Sequence, residues 1–294
     1  MQRRDFIKGS TLGFGALLTG VAGTACTSVK EAEETVSKAV EKGKSRKQLF
    51  NMCGYAAPAI PTVRIGYVGI GSRGSWAVTR MMNVKDVEVT ALCDLNEGAV
   101  KRNQETLQRF NRRPAKEYFG DDYSWKQLCE QDDIDLVYIA TPWKWHTPIA
   151  VYAMECGKHV AVEVPAAGTL EDCWQLVETS ERTKKHCMQL ENCCYDFFEI
   201  LTVNMVQKGL FGEVIHGEGA YIHELLSGMF GEPQWPTWRW DENHKSGNPY
   251  PTHGLGPVCW AMNINRGDKM EYMTSMSTDD FLMEAKAKEL AVQN

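Results

Sequence analysis

The stretch Val63–Asp94, VRIGYVGIGSRGSWAVTRMMNVKDVEVTALCD, decides the fold. Its first eight residues, Val63 to Ile70, are apolar and rich in β-branched side chains, which predicts a short buried strand. Gly69-Ile70-Gly71-Ser72-Arg73-Gly74 follows directly and opens a helical stretch, Ser75 to Met82. A second strand, Val87 to Cys93, ends at Asp94. The order strand, glycine turn, helix, strand, acid is the context in which a GxGxxG motif binds a dinucleotide. In that reading Gly69 makes the tight turn, Gly71 lets the backbone approach a pyrophosphate, and Gly74 lets helix and strand pack closely. The helix N-terminus offers unpaired N–H groups to the anion, with Ser72 and Arg73 along the phosphates. Asp94 would accept hydrogen bonds from a ribose diol and repel a 2′-phosphate, which favours NAD over NADP.

Outward from this unit the alternation continues. Ile134 to Ala140 reads as another buried strand, ending at Thr141-Pro142. Trp143-Lys144-Trp145-His146 then stands at the strand's C-terminal end, where open α/β sheets bind ligands. A helix over Pro148 to Cys156 leads to Gly157–Pro165, GKHVAVEVP, a strand with Glu163 at its exit. A helix from Leu170 to about Lys185 and a short strand from Met188 to Asn192 complete a doubly wound sheet. The predicted class is therefore α/β, with a Rossmann dinucleotide-binding domain over 60–195.

Composition bounds the rest. The chain has 294 residues, 43% hydrophobic and 24% charged, which is ordinary for a globular protein. A net charge of −6 and a pI near 5.7 lack the basic footprint of a nucleic-acid-binding domain. No run of 18 apolar residues suggests a spanning helix. The ten cysteines contain no CxxC pair, and a chain of this length buries a core without disulfide staples, so most read as small buried apolar residues. His223-Glu224 and His146 fit no zinc spacing, and no metal is expected.

Residues 1–26, MQRRDFIKGSTLGFGALLTGVAGTAC, join Arg3-Arg4 to a short glycine-rich apolar run. This resembles a bacterial twin-arginine export signal. It implies a periplasmic protein or, with Cys26 as a candidate lipid anchor, a membrane-attached one. Residues 27–59 include a lysine-rich segment that reads as a solvated tether or surface helix. Export in the folded state would carry a cytoplasmic cofactor along.

The run ATPWKWHTPIA together with GKHVAVEVP resembles the Gfo/Idh/MocA family of sugar oxidoreductases. That resemblance implies a Rossmann domain followed by an α+β domain with an open antiparallel sheet. One position departs: the family's lysine after the glutamate is Val164 here, and valine transfers no proton. GIGSRG, WKWH, EVP, ENCCYDFFE, AYIHEL, PTWRW and NPYPTHGLGP, with the export signal, resemble glycoside hydrolase family 109 more closely. Only 41 residues follow His253, so the second domain, 196–294, is expected to be partial.

The narrower resemblance implies an NAD-dependent, exo-acting α-N-acetylgalactosaminidase working on glycans with terminal α-GalNAc. It implies cofactor contacts at Ser72-Arg73, Asp94, Trp143 to His146, Glu163-Val164 and Asn192. It implies sugar contacts at Tyr221, Arg239 and the run Tyr250, Pro251, Thr252, His253. The implied mechanism is redox-neutral: oxidation at C3, loss of the C2 proton and the aglycone, addition of water, and reduction. His253 is then the group for the C3 hydroxyl proton, following the stiff bend Asn248-Pro249-Tyr250-Pro251. Tyr195 is the candidate base at C2, with Tyr250 and Glu163 as further proton-transfer or orienting groups. Trp235, Trp238 and Trp240 offer faces for a sugar to stack on. Two alternatives stand beside this: an exported sugar oxidoreductase with tightly held nucleotide, and a non-catalytic sugar- or NAD-binding remnant. A homo-oligomer is a candidate assembly.

Overall fold

β1 (Val63–Val68) sits at the centre of a six-stranded parallel sheet among the described residues, with strand order β3-β2-β1-β4-β5-β6. The computed structural model describes residues 37–38, 41, 43, 45–230, 238–242, 248–276 and 281–293. The export signal at 1–26, Cys26 and Trp235 lie outside them, as does the side chain of Trp240. Residues 1–48 and 49–294 form separate units, and all that follows concerns the second.

The sheet alternates with helices. In chain order these are α1 (Ser72–Met81), β2 (Val87–Asp94), α2 (Glu97–Arg109), β3 (Lys116–Phe119), α3 (Ser124–Cys129) and β4 (Leu136–Ile139). A 3-10 turn at Trp143–Trp145 then precedes α4 (His146–Glu155), β5 (His159–Glu163), α5 (Leu170–Thr183) and β6 (Cys187–Leu190). The α/β reading is borne out, and the strand order reverses between β1 and β4, where such sheets bind ligands.

Period-two alternation splits the core between the two faces. Ile65 and Tyr67 pack with Val78, Val100 and Leu107 beneath α1 and α2. Val68 faces the other way, toward Leu128, Ile139 and Ile149. A Cβ on Gly66 would lie 2.7 Å from Leu128 Cδ2, so this glycine admits α3 to the sheet. The β1–β2 register shifts after Ile65, which lets Val89 share one face while Ala91 and Cys93 share the other.

Beyond β6 come α6 (Asn192–Tyr195), α7 (Phe197–Gln207), α8 (Leu226–Met229), α9 (Trp238–Glu242), α10 (Pro251–Ala261) and α11 (Phe281–Gln293). The antiparallel sheet expected over 196–294 is not formed by the described residues. Residues 214–225 run without helix or strand, because no neighbouring strand supplies the ladder partners that a sheet requires. This segment instead crosses α10 backbone to backbone. A Cβ on Gly219 would meet Gly254 O at 2.1 Å, and one on Gly254 would meet Gly219 C at 2.7 Å.

Every described cysteine is a free thiol. Of the nine described cysteines, Cys93, Cys129 and Cys194 are buried, Cys156, Cys187, Cys193 and Cys259 are partly buried, and Cys53 and Cys173 are exposed, so the buried, small-apolar reading holds for a minority of them. Burial pushes the thiols of Cys93 and Cys187 up to about 12 and that of Cys194 to about 11. Among the described residues, no helix is long and apolar enough to cross a membrane.

Candidate functional site

The glycine turn is shaped by atoms that leave no room for side chains. Gly69 has φ +82°, and a Cβ there would lie 2.7 Å from the Ala140 carbonyl at the β4 exit. A Cβ on Gly74 would fall 1.9 Å from Gly69 O. By contrast, a Cβ on Gly71 would meet no protein atom within 4 Å, so it would project into the space a ligand would take. Buried Asn103 on α2 clamps the turn by donating to Ile70 O (3.2 Å) and Ser75 Oγ (2.8 Å). Gly71 caps α1 without a side-chain partner, which leaves first-turn N–H groups available to an anion. Ser72 is exposed at the first position of that helix.

Asp94 ends β2 beside this turn. Its carboxylate accepts from Ile70 N (2.8 Å) and Asn96 N (2.9 Å), which pins it at the rim. Asp94, Leu95, Trp125, Lys144 and Trp145 line a pocket of about 220 Å³ on this side of the sheet. The site thus fits a dinucleotide: a cradle closed to side chains, a free helix N-terminus, and an acid above an apolar pocket.

The 3-10 turn divides this pocket from a larger cavity of about 620 Å³. Trp145 packs against Trp125 (6.3 Å between centroids) on the smaller side, while Trp143 meets Trp238 (5.4 Å) and Tyr250 (5.3 Å) on the larger. Lys144 N–H donates to the Glu242 carboxylate, which ties α9 to the same turn.

The larger cavity gathers Arg73, Glu163, Val164, Asn192, Tyr221, Arg239, Tyr250 and His253, so the structure brings together groups predicted separately for cofactor and sugar. Tyr250 is 7% exposed and its hydroxyl accepts from Arg239 Nη1 at 2.9 Å. Its ring stacks on His253 (5.2 Å), and Tyr221 lies against both, at 5.1 and 5.2 Å. The Gly219–Gly254 crossing is what brings Tyr221 over the first turn of α10, where His253 stands. Pro251 opens that helix at N1, the position that costs no hydrogen bond. Burial raises the Tyr221 hydroxyl above its usual range, with Arg239 acting in opposition.

Glu163 is buried and already engaged. It accepts from Tyr138 Oη (2.8 Å) and pairs with Arg73 Nε (3.1 Å). Burial, and then the Glu163 charge, lift the Tyr138 hydroxyl well above the phenol range. Arg73 is thus drawn across to Glu163. Val164 is buried in the cavity wall and joins Pro165 through a cis peptide.

Two expected site residues are held differently from the rest, although His146 also lines the larger cavity. His146 is 1% exposed, and its ring nitrogens lie 2.7 Å from Pro165 O and 2.8 Å from Thr141 O. It therefore joins the β4 and β5 exits and presents no free nitrogen to a cofactor; burial lowers its pKa, with those carbonyls opposing. Tyr195 is 44% exposed and packs edge-on against Trp260 (5.1 Å). It lines a separate pocket with Cys259 and Trp260, because one turn of α6 carries it away from Asn192 and Cys193.

One functional candidate was missed by sequence reasoning. Glu191 is 6% exposed, and its Oε1 lies 2.6 Å from His253 Nδ1. The same oxygen accepts from Cys193 N at 3.0 Å, and the donor atoms of Glu191, Cys193 and His253 lie within 4.8 Å of one another. The only sequence signal was a carboxylate at the exit of the last strand.

Two family models match in succession along the chain. The oxidoreductase family with an NAD-binding Rossmann fold, Gfo/Idh/MocA, covers residues 63–190, and the C-terminal domain of glycosyl hydrolase 109 covers 195–290. Among curated proteins, glycosyl hydrolase family 109 protein 2 of Phocaeicola vulgatus is 50% identical over 234 residues, 78% of this chain and 56% of that protein. An alpha-N-acetylgalactosaminidase of Bacteroides fragilis is 49% identical over 233 residues, 78% of this chain and 55% of that protein. The chain thus spans about half the length of the curated relatives it matches. Among solved structures, myo-inositol 2-dehydrogenase of Lactobacillus plantarum has a TM-score of 0.56 at 19% identity, over 69% of this chain and 57% of that one, a likeness of fold. The chain thus matches a Gfo/Idh/MocA NAD-binding Rossmann domain followed by a C-terminal domain of glycosyl hydrolase family 109, and it is similar, near 50% identity, to members of that family over about half their length.

Proposed function

We propose that this protein is an exo-acting glycosidase that releases terminal α-linked N-acetylgalactosamine by a redox-neutral route, with NAD retained in the glycine cradle. The observation that carries this reading is the cavity's supply of acids. Glycosidases that work by carboxylates alone need two flanking the scissile bond. Among the described residues lining the cavity, Glu163 is the one carboxylate, and Arg73 and Tyr138 already hold it.

Gly69, Gly71, Gly74 and the α1 N-terminus would hold the pyrophosphate, with Asp94 selecting an unphosphorylated ribose. When bound, the cofactor supplies a hydride acceptor, and later a donor, for a sugar carbon. The chain's own residues handle position and protons. Trp143, Tyr221 and Tyr250 present ring faces to sugar C–H bonds. Arg239 donates to the Tyr250 hydroxyl and so orients it at the cavity wall. His253 takes the proton from the C3 hydroxyl, and Tyr250, rather than Tyr195, is the cavity group placed to serve C2. Val164 stands where oxidoreductase relatives carry a lysine, so no proton carrier competes there. The 1–26 pattern supports export in the folded state.

Turnover of a nitrophenyl α-GalNAc glycoside in D2O tests this. The expected result is nitrophenol release, GalNAc with deuterium at C2, NAD recoverable on denaturation, and no accumulation of NADH. Product with protium at C2 would refute the route. An oxidised sugar without bond cleavage would refute the glycosidase assignment and favour an oxidoreductase.

A further inference from the structure

Glu191 and His253 are 62 positions apart, yet the fold builds a contact for them. Glu191 follows β6 and caps α6; His253 lies in the first turn of α10. The two helices approach because Gly256 carries no side chain: a Cβ there would meet Cys194 Sγ at 2.9 Å and Glu191 Cγ at 3.3 Å. The resulting Oε1–Nδ1 distance is 2.6 Å, with both side chains largely buried.

A carboxylate only accepts hydrogen bonds, whereas a neutral imidazole has one donor and one acceptor nitrogen. Pairing with Glu191 therefore places the proton on Nδ1 and leaves the lone pair on Nε2. The ring lies against both Tyr221 and Tyr250 in the cavity wall, and among the described residues Nε2 has no hydrogen-bond partner, so that lone pair is available to an incoming hydroxyl. Glu191 is kept ionised: burial opposes its charge, but the hydrogen bonds from His253 and the Cys193 N–H help hold the carboxyl below its usual range.

We propose that Glu191 is the positioning residue of a carboxylate–imidazole dyad that fixes His253 in the Nδ1–H tautomer, making Nε2 a proton acceptor toward the substrate. This rests on the reading of His253 as the group that takes the C3 hydroxyl proton, and it adds the residue that makes His253 competent. A buried, paired carboxylate oriented this way also stabilises the imidazolium once the proton has moved.

The test uses the NAD-loaded protein, with histidines labelled by 15N and the His253 signals assigned by difference from His253→Gln. The expected wild-type spectrum shows protonated Nδ1 and bare Nε2. In Glu191→Gln the side-chain amide can donate to Nδ1, so the tautomer should invert or mix. The kcat should fall by about 10²- to 10⁴-fold, with KM and bound NAD unchanged, and Glu191→Asp should recover part of it. An Nε2–H tautomer in the wild type, or full kcat in a folded Glu191→Gln, would overturn the proposal. So would stoichiometric metal held by Glu191, Cys193 and His253. Should Glu191→Gln fail to fold, the wild-type tautomer alone decides. An Nδ1–H tautomer in a protein without glycosidase activity would uphold the dyad and refute the function.

Discussion

Replacing Gly74 by alanine tests whether the glycine turn is built as described. The added Cβ would lie 1.9 Å from Gly69 O, whereas an ordinary C···O contact is about 3.3 Å. Nearly all of that overlap, about 1.4 Å, must be relieved by moving backbone, because both partners belong to the main chain. Overpacking of this kind costs about 1–3 kcal/mol, and backbone displacement belongs at the upper end. At roughly 2–4 °C per kcal/mol for a chain of this size, Tm should fall by about 6–12 °C. NAD at a hundredfold excess over Kd stabilises by about 2.7 kcal/mol, and that increment should vanish as well. Gly71→Ala is the informative partner. Its Cβ meets no protein atom within 4 Å, so its harm falls on the bound pyrophosphate. Thermal melts with and without NAD, and dinucleotide release on denaturation, separate the two. Both variants should lose NAD, but Gly74→Ala should lose far more unliganded stability. Equal unliganded melting temperatures, or a Gly74→Ala protein that keeps NAD, would refute the reasoning.

Asp94→Ala should lower bound NAD and relax discrimination against NADP, read by titrating both dinucleotides into stripped protein; unchanged preference would remove Asp94 from the ribose site. Tyr250→Phe removes both the partner of Arg239 and the proton-transfer group proposed for C2, so kcat/KM should fall by about 10²- to 10⁴-fold with NAD content unchanged. Arg64 donates to Asp135 at 2.9 and 2.7 Å and holds its carboxyl below the usual range. Stability from this pair is therefore present above the ordinary carboxylate pKa of about 3.9 and is lost as pH falls through that value and the lower folded one. Asp135→Asn should melt below wild type near neutrality, and the gap should close in acid.

The nucleotide half was legible because its signals are local. The β1 run, the glycine spacing and Asp94 lie within one short stretch, and each places the next by backbone geometry. The exits of β4 and β5 were found the same way, and Trp143, Glu163 and Val164 line the larger cavity. β3 was harder: Lys116–Phe119 is a short edge strand with partly exposed residues and no long apolar run. Side-chain direction escaped where it depends on packing. Tyr195 and Asn192 share one helical turn, and only the docking of α6 on α10 shows that they face different pockets. Glu191 escaped because its partner lies in another element, and no spacing rule links residues brought together by a glycine in a third position. The loop 214–225 departs from expectation for the same reason: a strand is a property of two neighbours.

The raised thiol pKa values bear on oxidation chemistry. Only the thiolate attacks a disulfide or an electrophile. A thiol whose pKa is pushed to about 12, like those of Cys93 and Cys187, is ionised in on the order of one molecule in 10⁵ at neutral pH. Such groups are slow partners in disulfide exchange even before their burial is counted. The folded core would therefore tolerate oxidising conditions without scrambling. Cys53, on the surface, is where an oxidant or an alkylating reagent would first leave its mark; Cys173 is exposed too, but burial and Asp172 push its thiol up.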